Sequence, residues 1–318
     1  MVILSRFIAF TQPLKYSGRS LNATTRSFFI KNYAIDGKLY YFLLIPLNMY
    51  GLLLIILLIL VPSVLFIWLM KKAETKLRIA IKVFVLGMEG WFLAFVVRLP
   101  VFQGIQIAIL LNLGVDITNQ AEIQMYATYL PLIIWGPILA GLFEGTFRYL
   151  FIKIPREVRT ERQWLPGLFG LGWTFMEILL LVIVPIVSQN LLFNLSLFNM
   201  LISFIERVSA SIVHIALSYV AMYGIFEESK KKYSVYIAIF LHMAFDGLII
   251  YWIISFSRLS PEWYFLSLEA GLFAGSMATI LWTFQVWVPR SERLIESRKE
   301  ILEKEGILGE GVVRFPAN

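Results

Sequence analysis

Apolar stretches of about twenty residues or more alternate with short polar connections along most of this chain. Seven stand out, at residues 44–70, 79–97, 126–154, 165–187, 198–226, 233–256 and 264–288. A helix needs ~20 residues to cross the hydrocarbon of a bilayer, and each stretch is at or near that length. In lipid every backbone polar group must be satisfied within the protein, so continuous apolar runs of this size read as helices. The expected fold class is therefore all-α, a polytopic transmembrane bundle of about seven spans. Pro46, Pro62, Pro131 and Pro137 fall inside spans, where a kink is tolerated. Between the second and third spans, residues 101–124 are weakly apolar and interrupted by Gly104, Gly114, Asp116 and Asn119. That segment reads as a loop with an interfacial or re-entrant piece, and Arg98-Leu99-Pro100 reads as the end of the second span.

Composition points the same way. Hydrophobic residues make up 59% of the chain and charged residues 15%. Soluble domains carry about 45–50% and about 25%, so a soluble protein is excluded. Residues 44–289 form one integral bundle with no separate soluble domain. The alternating charges after Arg290 make 290–318 a charged cytoplasmic tail, helical and solvated in its first part. Residues 1–43 are basic, with Arg6, Lys15, Arg19, Arg26, Lys31 and Lys38, and lack the compact apolar core of a signal peptide. They read as an interfacial segment or as an overextended start, with Met49 the alternative first residue. The absence of cysteine excludes disulfides, thiolate catalysis and cysteine-bound metal.

Lysine and arginine set the orientation. They crowd the connections after spans one, three and five and the tail, and they are scarce after spans two, four and six. The positive-inside rule then puts the N-terminus out and the C-terminus in, despite the basic N-terminal segment. The sequons at Asn22 and Asn194 both fall on the outer side of this topology. The net charge of +7 fits anionic lipid rather than nucleic acid, so the expectation is a multi-pass protein of the cell membrane with lipid as its surroundings.

Ionisable residues inside membrane helices cost about 2.5–3.5 kcal/mol each on insertion scales, so each needs a reason. Glu144 and Arg148 interrupt span three at i,i+4, on one helix face. Glu177 lies in span four. In span five, Ser203, Arg207, Ala210, His214 and Ser218 form one small and polar stripe, with Glu206 beside it. Span six carries His242 and Asp246, again four apart, a spacing at which a carboxylate can orient an imidazole. Any one of these groups could be an ordinary interhelical bond or packing seam. Four successive helices that each supply them point to a shared hydrated cavity. Glu89 in span two and Glu269 in span seven are further candidates.

The segments Glu144-Gly-Thr-Phe-Arg148-Tyr149, Glu206-Arg207 with His214, and His242-Met-Ala-Phe-Asp246 resemble the polar motifs of the YhfC family of membrane peptidases. That family is similar to the CAAX-protease and bacteriocin-processing (Abi) group and to PrsW-type glutamic intramembrane proteases. Gly170 to Glu177 resembles its Gly-x-Gly-His-Gly-x-x-Glu stretch, and Leu86-Gly87 and Arg98-Leu99-Pro100 fit its early helices. The resemblance spans about residues 49–289. It implies that Glu144 is a general base, His214 its partner, Arg148 the residue that orients Glu144, and His242 with Asp246 the oxyanion side. Glu177, Glu206 and Arg207 would support them. The chain departs from the motifs at Gly145, where a second glutamate is usual, and at Trp173, where a histidine is usual.

The first functional reading is thus an intramembrane peptidase acting on a membrane protein or peptide through activated water. No cofactor is expected. A divalent metal stays open, although two histidines on different helices lack the His-x-x-x-His spacing of helical zinc sites. The alternative is a non-catalytic scaffold or complex subunit that keeps the polar core and works with a membrane partner. A transporter comes third, because the chain shows no internal repeat.

Overall fold

The computed structural model describes residues 49–119, 122–123, 126, 129–154, 164–188, 195–226, 231–255 and 261–290, with Arg293, Ser297 and Glu300. The N-terminal segment 1–43, both sequon asparagines, the basic loop 155–163 and most of the tail lie outside these residues. Among the described residues, seven helices are long and apolar enough to cross a membrane. They are α1 (Tyr50–Lys72), α2 (Leu77–Asn112), α3 (Leu130–Ile152), α4 (Leu165–Ser188), α5 (Leu197–Phe226), α6 (Lys231–Ser255) and α7 (Pro261–Trp282). Among the described residues there is no strand.

One expected boundary is wrong. The second span does not stop at Pro100 but continues as one helix of 36 residues, so the expected loop of residues 101–124 is helical for half its length. Proline removes one amide donor, yet a membrane helix absorbs that loss when neighbouring groups re-satisfy the backbone. Gly104 does not break the helix either; Gly114 does. Its φ of 73° is the left-handed conformation that glycine adopts without a side-chain penalty. The Val115 amide then donates to the Leu110 carbonyl and the Gly114 amide to that of Leu111, both at 3.0 Å. This pairing is a Schellman stop, completed by burial of Val115 against Leu110. In the loop that follows, Thr118 donates from its amide and its hydroxyl to Asp116, which holds that carboxyl below the usual range.

Prolines shape the other helices. α3 breaks at Ile134, between Pro131 and Pro137. α4 widens into a π turn over Leu179–Ile183 just before Pro185, and α7 runs into another over Thr283–Trp287 just before Pro289. Widening by one residue per turn relieves the clash of each proline ring with the carbonyl of the preceding turn.

The bundle is ordered around α5, which packs on α4, α6 and α7; over half of its most apolar window, 56%, is buried, against 17% for α6. α4 lies between α2 and α5, and α3 between α2 and α6. Lipid tails are as apolar as leucine, so these contacts depend on close packing and polar bonds. Glycine supplies the closeness. A Cβ at Gly172 would sit 1.9 Å from the Phe84 carbonyl oxygen, and one at Gly141 would sit 2.1 Å from Met243 Cγ and 2.7 Å from the Ile239 oxygen. The first contact fixes α2 against α4 and the second fixes α3 against α6. Trp91, Phe169 and Trp173 fill the interior beside them, fully buried.

Candidate functional site

Glycines on α3 and α4 bring the polar groups of four helices together. A Cβ at Gly170 would lie 2.7 Å from Ile215 Cα and 2.8 Å from the His214 carbonyl oxygen, so α4 meets α5 backbone to backbone beside His214. Gly145 packs against Ile239, 2.5 Å from where a Cβ would be, and so draws α6 onto α3 next to Glu144. With α6 in this place there is no room for a side chain at 145.

Glu144 is 4% exposed and both its oxygens are engaged. Arg98 Nη1 donates to Oε1 at 2.8 Å, and the Trp173 indole N–H donates to Oε2 at 3.1 Å. His242 Nε2 lies 3.5 Å from Oε2. Arg98 lies at the expected end of the second span, well inside α2 as it folds, and the sequence reading missed it as a site residue. An arginine followed by fourteen more helical residues was the available signal, masked by the stop-like Leu99-Pro100. Trp173, expected only as a departure from a motif, serves as a donor to the carboxylate.

Arg148 shares a helix face with Glu144 but does not bond to it. The side chain, fully buried, turns to α5: Nη1 donates to the His214 carbonyl at 2.7 Å and to Ser218 Oγ at 3.4 Å, and Nη2 lies 2.7 Å from His214 Nδ1. Its guanidinium also sits over Trp173, 4.5 Å from the ring centroid. Thus Arg148 orients His214, whereas the resemblance implied Glu144.

The His214 ring is bound at both nitrogens, since Nε2 lies 2.6 Å from Glu177 Oε2. A guanidinium has donors only, so Nδ1 accepts and the ring proton sits on Nε2, donating to Glu177. The other oxygen of Glu177 accepts from Arg207 at 2.6 Å, and Arg207 pairs in turn with Glu206. The expected stripe on α5 is buried, including Ser203, Arg207, His214 and Ser218. The His214 and His242 rings stand edge to face, with centroids 5.3 Å apart. Asp246 lies 3.8 Å from His242 Nε2, beyond a direct hydrogen bond. Glu269 is buried on α7, with Glu206 and Arg207 as the charges acting on it. Glu89 is exposed on α2 and belongs to a different surface.

These groups form the floor of a cavity of about 240 Å³. Glu144, Glu177, Arg207, His214, His242 and Asp246 line it, together with Arg98 and Glu206. Its walls are apolar, with Phe102, Ile133, Pro185, Ile186, Ile249 and Ile250. They belong to the ends of α2, α3, α4 and α6 farthest from the basic α1–α2 connection. One water needs roughly 10–15 Å³ of such space, so the floor has room for several.

Candidate ligand atoms of Glu144, His214 and His242 all lie within 4.8 Å of one another, as in a metal centre. The bonds already made oppose that use. His214 directs its lone pair at Arg148 and its proton at Glu177, so a cation would have to displace one of them. Two guanidiniums, Arg98 and Arg148, already occupy the positions of counter-charge. As bonded here, the three residues do not fit a divalent metal. No family model, curated protein or solved structure matches the chain.

Proposed function

We propose that this membrane protein is an intramembrane peptidase in which Glu144 activates water at the floor of the cavity. One observation carries the reading: Glu144, His214 and His242, from three helices, converge within 4.8 Å at the base of an apolar-walled space of about 240 Å³. Each carboxylate oxygen has a second lone pair beyond the bond it already accepts, so Glu144 can still bind water. Arg98 and Trp173 fix its orientation, which is the preorganisation that general-base catalysis needs.

In this reading Glu144 takes a proton from water as the oxygen adds to the carbonyl carbon of a membrane-embedded peptide bond. The carbonyl electron pair moves to oxygen, and the N–H of His242 stabilises that charge, with Asp246 on the same helix face. Collapse breaks the C–N bond, and the proton on Glu144 passes to the leaving nitrogen. His214, braced by Arg148 and Glu177, is a positioning residue that holds the His242 ring edge to face. Each fixed donor to the oxyanion is worth roughly 10²–10³ in rate. The apolar walls suit a substrate that is itself a membrane segment, and the cell membrane is the proposed location.

A second reading has a specific observation behind it. Both Glu144 oxygens are held by fixed donors, and close packing at Gly145 excludes a second glutamate. A scaffold or complex subunit that keeps its polar core for assembly has these features too. The test is to reconstitute the protein in vesicles with a set of transmembrane peptides and to identify cut products by mass spectrometry. Glu144→Gln, which still accepts hydrogen bonds, is expected to lose about 10²–10⁴-fold in cleavage while remaining folded. Cleavage that persists in Glu144→Gln removes this mechanism, and no cleavage by the unaltered protein selects the scaffold.

A further inference from the structure

Glu89 is an exposed carboxylate on a helix that crosses the membrane, and the cavity does not use it. From Leu77, where α2 starts, Glu89 lies about 18 Å along the axis at ~1.5 Å per residue. Lys71, Lys72, Lys76 and Arg78 cluster at that starting end and mark the membrane interface. The hydrocarbon is ~30 Å thick, so Glu89 falls near its middle. Around it, Val85, Phe92, Leu93 and Val96 are all exposed and follow i,i+3/i+4 spacing, with Lys82 two turns earlier on the same face. Among the described residues Glu89 has no hydrogen-bond or ion-pair partner.

We propose that this face of α2 is a docking surface for one transmembrane helix of another protein, and that the helix presents a lysine or arginine to Glu89 at mid-membrane depth. Charge complementarity selects this occupant. A carboxylate facing lipid at that depth is costly, and polar groups within a membrane recover the loss by bonding across helices. Lipid supplies no cation at the middle of the bilayer. A second copy related by an axis along the membrane normal would set one Glu89 carboxylate against another and give neither a counter-charge. The exposed basic residues among those described, Lys71, Lys72, Lys76, Arg78, Lys82, Arg290 and Arg293, lie toward helix ends and cannot answer Glu89 at its depth. The occupant is therefore apolar along Val85, Phe92, Leu93 and Val96, and basic at one position. The inference does not rest on the peptidase reading, since Glu89 is not among the residues that line the cavity.

The test uses the full chain in phosphatidylcholine vesicles and two dye-labelled polyleucine helices, one with a single central arginine and one without. Energy transfer reports binding. The arginine helix is expected to bind about three- to thirtyfold more tightly, the range of polar contacts between membrane helices. That advantage is expected to vanish in Glu89→Leu and to shrink in Glu89→Gln, while Val96→Ala retains it. Because Glu89 is exposed, these variants keep the fold, which circular dichroism and cavity-residue crosslinking check. Equal binding of the two helices, or an advantage that survives in Glu89→Leu, overturns the proposal. So does a dimer of the chain that depends on Glu89, which would give the face to a second copy. An advantage that appears only after removal of residues 1–43 overturns it as well, assigning the face to the chain's own N-terminal segment.

Discussion

Arg148 shows how far a buried cation is committed. Its fork serves a carbonyl and an imidazole on α5 while its plane rests on Trp173. Lysine presents a single ammonium and cannot reproduce that fork, so Arg148→Lys is expected to fail almost as fully as Arg148→Ala. Either change leaves His214 Nδ1 without its donor, at about 1–3 kcal/mol, while the His214 carbonyl keeps Ser218 Oγ, and the midpoint of thermal denaturation in detergent should fall accordingly. Glu144 and His242 act in the same addition step of the proposed chemistry, one on the water and one on the developing oxyanion, so their effects should not add. Glu144→Gln with His242→Ala is expected to lose little more activity than either change alone, read as product formed per hour. Additive losses would mean that the two residues serve separate steps.

Helices in lipid are placed by what lets them approach, and here that is glycine. Gly141→Ala would force α6 away from α3 at Met243 and Ile239, and is expected to cost about 1–3 kcal/mol. Gly104→Ala on α2 has nothing within 4 Å of the added Cβ and removes an entropic penalty, so it is expected to be neutral or stabilising by up to about 1 kcal/mol. Unfolding in denaturant of the two variants, side by side, checks the contrast. The spacing Gly141-x-x-x-Gly145 is a small-residue motif that marks the face of α3 open to close packing, without saying which helix packs there. The seven spans themselves were legible because length and hydropathy decide them locally. The end of α2 was not, because Arg98-Leu99-Pro100 carries the usual stop signals and neighbouring helices overrule them. Nor was the choice of partners. An i,i+4 spacing says that Glu144 and Arg148 share a face, but which neighbour each long side chain reaches depends on helices far away in sequence, α2 for the first and α5 for the second.

Across the bundle, the basic α1–α2 connection and the loop around Asp116 lie at opposite ends of α2. In a chain without cysteine, Lys72→Cys and Asp116→Cys report sidedness cleanly. An impermeant thiol reagent applied outside intact cells is expected to label Asp116→Cys and to leave Lys72→Cys unlabelled. The reverse result would invert the topology. The ion pairs of the cavity also follow the order of synthesis. Glu144 on α3 finds Arg98 on the helix made just before it, whereas Glu177 on α4 finds Arg207 on the helix made just after it. A growing chain therefore leaves the ribosome with Glu144 already paired, while Arg148 on the third helix and Glu177 on the fourth still wait for their partners on the fifth. Nascent chains halted after residue 188 should be held by the insertion machinery or cleared by quality-control proteases, and those halted after residue 226 should be released and persist. For this protein, the arrangement of charges in the finished cavity doubles as a timetable for its biogenesis.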